Sequence, residues 1–180
     1  LDRRRAEEKR FVPVSVNLSW MDFYDENMLE WIVRGLKKNN QKEQKIRFEI
    51  TETSLAAIGE NHTRMLMHLK ENGVKIMLDD FGSGYSSLNL LSKVAVDTVK
   101  LDKQFLDDTM NSEREETALT IIKYLTKMLR HLGFKVLAEG VETSEQLEML
   151  RLADCDIVQG YFYAKPKRKT KCIKCRQKQK

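Results

Sequence analysis

The feature that most constrains this chain is a regular alternation between two apolar patterns. Six short runs read as strands: Val12–Leu18, Lys45–Ile50, Val74–Leu78, Val96–Leu101, Phe134–Ala138 and Asp156–Gln159. Between them, apolar residues recur at helical spacing. A strand that is followed by a helix and then by another strand returns the chain to the same end of the sheet, which makes neighbouring strands parallel. The predicted fold class is therefore α/β, a parallel sheet with helical crossovers. Six strands suit an open doubly wound sheet or most of an eight-stranded barrel, and the pattern alone leaves both open.

The helices carry their own start and stop signals. Met28, Leu29, Ile32 and Leu36 share a face behind Asp25, a candidate N-cap, and Met65, Leu66 and Leu69 share another before Gly73. The longest helix is expected from about Glu113 to Leu132, opened by the capping box Ser112 with Glu115 and closed by Gly133. Thr143 with Gln146 forms a second capping box, opening a helix through about Leu152. Leu1–Arg10 reads as the last turns of a further helix. Trp20, Trp31, Phe23 and Tyr24 are expected to pack on the outside of the sheet or to line a dimer surface. His62, His68 and His131 fall on helices as surface or helix-end residues.

Composition matters here for what it excludes. With 41% hydrophobic residues in 180, the chain can bury a core, which rules out a disordered tail or a collagen-like repeat. No run approaches the roughly 20 apolar residues of a bilayer span. Three cysteines, an odd number, point to a reducing compartment, and a cytoplasmic protein is expected. The net charge of +5 is local in origin. Nine of the 32 Lys and Arg residues follow Ala164 with no acid among them, leaving 23 basic and 27 acidic groups, net −4, before them. The charge balance therefore does not argue for specific nucleic-acid binding.

More telling is what stands at the strand ends. The first run ends on Asn17, the second contains Glu49 with Glu52 after it, and the third leads into Asp79 and Asp80. The fourth ends around Lys100, the fifth before Glu139 and the sixth on Gln159. In a parallel barrel these ends share one face, where active sites are built. Carboxylates with one amide oxygen and one ammonium form a hard-oxygen set suited to Mg²⁺ or Mn²⁺, and no histidine stands at a strand end to favour zinc. Adjacent acids at Asp79–Asp80 raise each other's pKa unless a cation intervenes. The run from Asp80 to Ser87 reads as a tight, glycine-supported loop able to present backbone N–H groups to phosphate.

The ordered set SVNLS at 15–19, EITE at 49–52, DDFGSGYSSL at 79–88, VKLD at 99–102, AEGVET at 138–143 and QGYF at 159–162 resembles the EAL domain. That family comprises bacterial cyclic-di-GMP phosphodiesterases on a TIM-like (β/α) barrel, and the resemblance covers about residues 10–166. It implies hydrolysis of cyclic-di-GMP to linear pGpG with two Mg²⁺ or Mn²⁺ ions. By this resemblance Asn17, Glu49, Asp79 and Asp80 are metal ligands. Lys100 holds the attacking water, Glu139 is a further acid near the metals, and Gln159 belongs to the catalytic pocket. Glu52, Asp102 and Glu142 steady the loops around the site. Ser83 stands where the family more often has threonine and keeps the hydroxyl.

Two departures shape the remaining expectations. The Glu-Ala-Leu signature is absent, so residues 1–166 read as a partial EAL domain with about six of eight strands, lacking one metal-ligand glutamate and a phosphate-contacting arginine. On that reading an upstream GGDEF, PAS or other sensor region precedes Leu1 in a parent protein. The alternative is a catalytically incompetent EAL-type module that binds cyclic-di-GMP or a protein partner. Residues 167–180 form a basic tail, read as disordered and as a disrupted frame or artificial end. Its Cys172-x-x-Cys175 lacks the second ligand pair that a zinc site needs. A homodimer is a further expected partner state.

Overall fold

The computed structural model describes residues 13–25, 27–38, 46–57, 59–83, 91, 95–107 and 115–165. Six strands follow one another in chain order: β1 (Val14–Asn17), β2 (Ile46–Thr51), β3 (Lys75–Phe81), β4 (Thr98–Leu101), β5 (Lys135–Ala138) and β6 (Ile157–Val158). They form one sheet in the order β1-β2-β3-β4-β5-β6, with every neighbouring pair parallel. The helices are α1 (Met28–Lys38), α2 (Glu52–Ala57), α3 (Glu60–Glu71), α4 (Gln104–Asp107), α5 (Glu115–His131) and α6 (Ser144–Leu152). A 3-10 turn spans Trp20–Tyr24. This sequential order is that of an incomplete TIM-like barrel, and it decides against a doubly wound sheet, whose strand order reverses at a switch point.

Strand parity separates two faces. Phe48, Ile50, Ile76, Leu78, Val99, Leu101 and Val136 are buried and pack with Leu66, Leu69 and Leu129 from the helices. Leu106, Ile122, Ala138, Val141, Met149, Leu150 and Ala153 form a second cluster beneath α5 and α6. The opposite face curls inward. Ser15 Oγ on β1 reaches Met77 Sδ on β3 at 4.0 Å, passing over the intervening strand. All four residues of β1 are exposed, and among the described residues nothing pairs with the outer edges of β1 and β6.

At the end of the sheet where the strands begin, three helices close in the same way. Val74 N–H donates to Leu69 O and Gly73 N–H to Lys70 O; Phe134 and Gly133 make the same pair with Leu129 and Arg130. Cys155 and Asp154 repeat it with Leu150 and Arg151. This is the Schellman closure, which requires a left-handed residue just past the helix. Gly73 and Gly133 supply it without steric cost, whereas Asp154 adopts φ 57° despite carrying a Cβ.

The boundaries differ from expectation in instructive places. β3 continues to Phe81 instead of ending at Leu78, because a register shift between Leu78 and Phe81 absorbs the left-handed Asp80 (φ 55°). Asp25 accepts the N–H of Asn27 at 2.9 Å, a turn before α1. Met28, Ile32 and Leu36 pack on the core as expected, as does Phe23, but Trp31 (67% exposed) and Tyr24 face outward. Helical register explains why Trp31 does not pack on the sheet, since it lies off the stripe that Met28, Ile32 and Leu36 define. His68 and His131 are exposed, while His62 lies against the rings of Phe23 and Tyr24. Ser112, residues 84–88, Leu1–Arg10, the side chains of Trp20 and Leu29 and the tail 167–180 lie outside the described residues.

Candidate active site

The inward face changes character along its length. Thr98, Lys100, Met77 and Leu137 are buried on it, and towards the strand ends it becomes charged. At its centre stands Lys100 on β4, with a side chain only 6% exposed. Its Nζ lies 2.5 Å from Asp79 Oδ1 on β3, 3.3 Å from Glu49 Oε2 on β2 and 3.3 Å from Glu139 Oε2 just past β5. Two strands, β3 and β4, separate Glu49 from Glu139 along the sheet, so a single ammonium can touch both only because the sheet curls.

One ammonium does not neutralise this group. Asp79, Asp80 and Glu139 each place a carboxylate oxygen within 4.8 Å of the others, close enough to share a cation. Burial pushes the Asp80 carboxyl above its ordinary pKa, and Asp79 and Asp102 add repulsion. Glu139 is also pushed up by burial, with Asp79 adding to it against the pull of Lys100. For Lys100, burial alone would disfavour the charge. The hydrogen bond to Asp79 and the charges of Asp79, Glu139 and Glu49 outweigh it, holding the ammonium well above its usual range. The donor set fits a hard divalent cation, which would relieve repulsion that Lys100 only partly offsets.

A rigid rim supports these groups. Asp80 owes its inward aim to the left-handed backbone at the register shift. Two residues on, Gly82 (φ 96°) donates its N–H to Glu52 Oε2 at 3.1 Å, and Glu52 is itself buried at the start of α2. The Phe105 ring occupies the space that a Cβ on Gly82 would take. No local sequence signal marks Phe105, because its role depends on two loops meeting. Asp102 accepts the N–H of Gln104 at 2.7 Å and opens α4.

The remaining candidates sit further out. Asn17 pairs in register with Glu49 at the exposed edge of the sheet. Gln159 is exposed, and its backbone ties Ala138 to Val141. Glu142 is exposed, with its N–H bonded to Gln146 Oε1 at 2.8 Å as part of the capping box that opens α6. The structure thus brings Glu49, Asp79, Asp80, Lys100 and Glu139 together, sets Glu52 and Asp102 beside them, and leaves Asn17, Gln159 and Glu142 at the periphery.

The family model of the EAL domain matches residues 1–166. The chain belongs to the EAL family. Among its relatives, the oxygen sensor protein DosP of Escherichia coli is 32% identical over 162 residues, 90% of this chain and 20% of that protein. The cyclic di-GMP phosphodiesterase NbdA of Pseudomonas aeruginosa is 39% identical over 121 residues, 67% of this chain and 15% of that protein. This EAL chain therefore spans about a fifth or less of the length of these relatives. The EAL domain of Mycobacterium smegmatis DcpA superposes with a TM-score of 0.84 at 27% identity, covering 98% of this chain and 78% of that one. The manganese and cyclic-di-GMP complex of Klebsiella pneumoniae BlrP1 gives 0.76 at 28% identity, covering 86% and 39%. Among the described residues no helix is long and apolar enough to cross a membrane.

Proposed function

We propose that this EAL domain hydrolyses cyclic-di-GMP to linear pGpG in a two-metal site using Mg²⁺ or Mn²⁺. The observation that carries the reading is the buried Lys100 held among Glu49, Asp79 and Glu139, with Asp80 beside them. Asn17, Glu49, Asp79 and Asp80 would hold the cations, with Glu139 as a further acid. When bound, such cations lower the pKa of water and neutralise charge on the phosphate oxygens. Lys100 keeps its proton across the working pH range, so its role is to orient the attacking water and offset developing negative charge. Water attacks phosphorus, the P–O3′ bond breaks, and the new 5′-phosphate remains on the product. Gln159 lines the pocket, while Glu52, Asp102 and Glu142 steady the loops. A cytoplasmic setting goes with this substrate.

The test is chromatography of cyclic-di-GMP incubated with the chain and Mn²⁺. Conversion to pGpG by this chain, or by one extended upstream to restore the missing glutamate and arginine, is expected to disappear with EDTA and with Asp79→Asn. If cyclic-di-GMP binds but never turns over, in this chain and in one extended upstream, the domain is a binding module and the catalytic reading fails. Full hydrolysis by Asp79→Asn would overturn the site assignment.

A further inference from the structure

The C-terminal half of α5 and the last residue of α6, with the turn that follows it, line an open groove of about 840 Å³. Both helices run from there through their Schellman closures into β5 and β6, so the groove lies at the end of the sheet where strands begin, away from the acidic cluster. Its apolar lining comes from Tyr124, Met128, Leu132, Leu152 and Ala153. Tyr124, Leu132 and Leu152 are each more than half exposed, a concentration of solvated apolar surface that marks contact sites.

The charge around this lining is one-sided. Lys123, Lys127, Arg130 and His131 contribute to it, against the single acid Asp154. Arg130 is already engaged, donating to Asp154 O at 3.0 Å and facing Asp156 Oδ1 at 3.7 Å. Lys123, Lys127 and His131 stand four residues apart in succession, so they form one stripe along α5 with steps of about 6 Å. Among the described residues no carboxylate pairs with Lys123 or Lys127. The stripe is a basic island on a body that is net negative through residue 164.

We propose that this groove docks an amphipathic helical segment of a partner protein, with carboxylates one turn apart and leucine or aromatic anchors beside them. A helix presents acids at four-residue intervals with the same repeat as the cationic stripe, and its apolar face fills the floor between α5 and α6. A membrane surface fits less well, because anionic lipid would repel the acidic body around the island. Nucleic acid fits less well for the same reason, and Tyr124 is the only aromatic residue in the lining.

The test uses the 180-residue chain and a fluorescein-labelled helical peptide of about three heptads with glutamates four apart beside leucines. Saturable binding by anisotropy at physiological salt is expected. Lys123→Glu with Lys127→Glu should weaken it about tenfold or more, and Leu152→Ser severalfold. The doubly reversed variant should in turn bind a peptide with lysines in place of the glutamates, which shows that it remains folded. Undiminished binding of the acidic peptide by that variant overturns the proposal, since the basic residues after Ala164 would then be holding it. So does absence of binding, or a groove-dependent self-association in sedimentation or pelleting with phosphatidylserine vesicles in place of peptide binding.

Discussion

The two ends of this sheet are built on opposite physical terms. Where the strands begin, the described connections into β3, β5 and β6 are closed by hydrogen bonds. Three helices close by the same hydrogen-bond pair, Asp97 accepts the Ile76 N–H at 3.1 Å and Lys75 Nζ at 2.7 Å, and Asp156 accepts the Val136 N–H at 2.9 Å. Each aspartate caps the start of a neighbouring strand. Where the strands finish, the chain instead holds like charges together, buries a lysine and puts Asp80 in the left-handed region. The strand-start end thus supplies the stability that tolerates strain and repulsion at the other.

That division predicts opposite mutational signatures. Asp79→Asn should have the largest effect, a loss of turnover of about 10³-fold or more together with loss of metal affinity. Its thermal midpoint without metal should change little, because relief of repulsion among the acids is set against loss of the nearest counter-charge of the buried Lys100; a large fall would show that the Asp79–Lys100 pair holds the fold. Lys100→Met should cut the rate by about 10²–10⁴-fold while Mn²⁺ titration followed by calorimetry still shows binding. A variant that lost binding and rate together would make Lys100 a structural post for the ligands.

Asp97→Ala should do the reverse. Losing two hydrogen bonds at a part-buried carboxylate is expected to lower stability by about 2–3 kcal/mol in urea titrations, with metal affinity unchanged. If metal affinity fell instead, the two ends of the sheet would be energetically coupled. Thr126, buried on α5, has no hydrogen-bond partner for its hydroxyl among the described residues, so Thr126→Val should add about 1 kcal/mol. The smallest effect belongs to Asp154→Gly, which relieves a left-handed Cβ and should raise the midpoint by the equivalent of about 0.5–1 kcal/mol.

Much of this was legible in the sequence because a parallel α/β chain writes each element locally. The six apolar runs, Gly73, Gly133 and the capping box at Thr143 each report a short-range requirement, and the strands and helices stand within a few residues of where those signals put them. The candidate site was legible for a related reason. A carboxylate or ammonium at the end of an apolar run is costly unless it has a use, so Glu49, Asp79, Asp80, Lys100 and Glu139 stand out as exceptions.

What local pattern could not carry were relations between distant segments. That Lys100 meets Glu49 on one side and Glu139 on the other follows from the curl of the sheet, a property of six strands together. The strand that continues through Asp80, the Phe105 ring that reserves its place for Gly82, and the outward-facing Trp31 were likewise settled by packing. The groove between α5 and α6 joins residues from two helices that no periodicity links. The sequence by itself thus determined the elements, their parallel order and the chemical type of the site, because hydrogen bonding and burial act over a few residues. Only the tertiary structure decided which charges share a centre and which apolar faces stay open, because those depend on distances across the sheet.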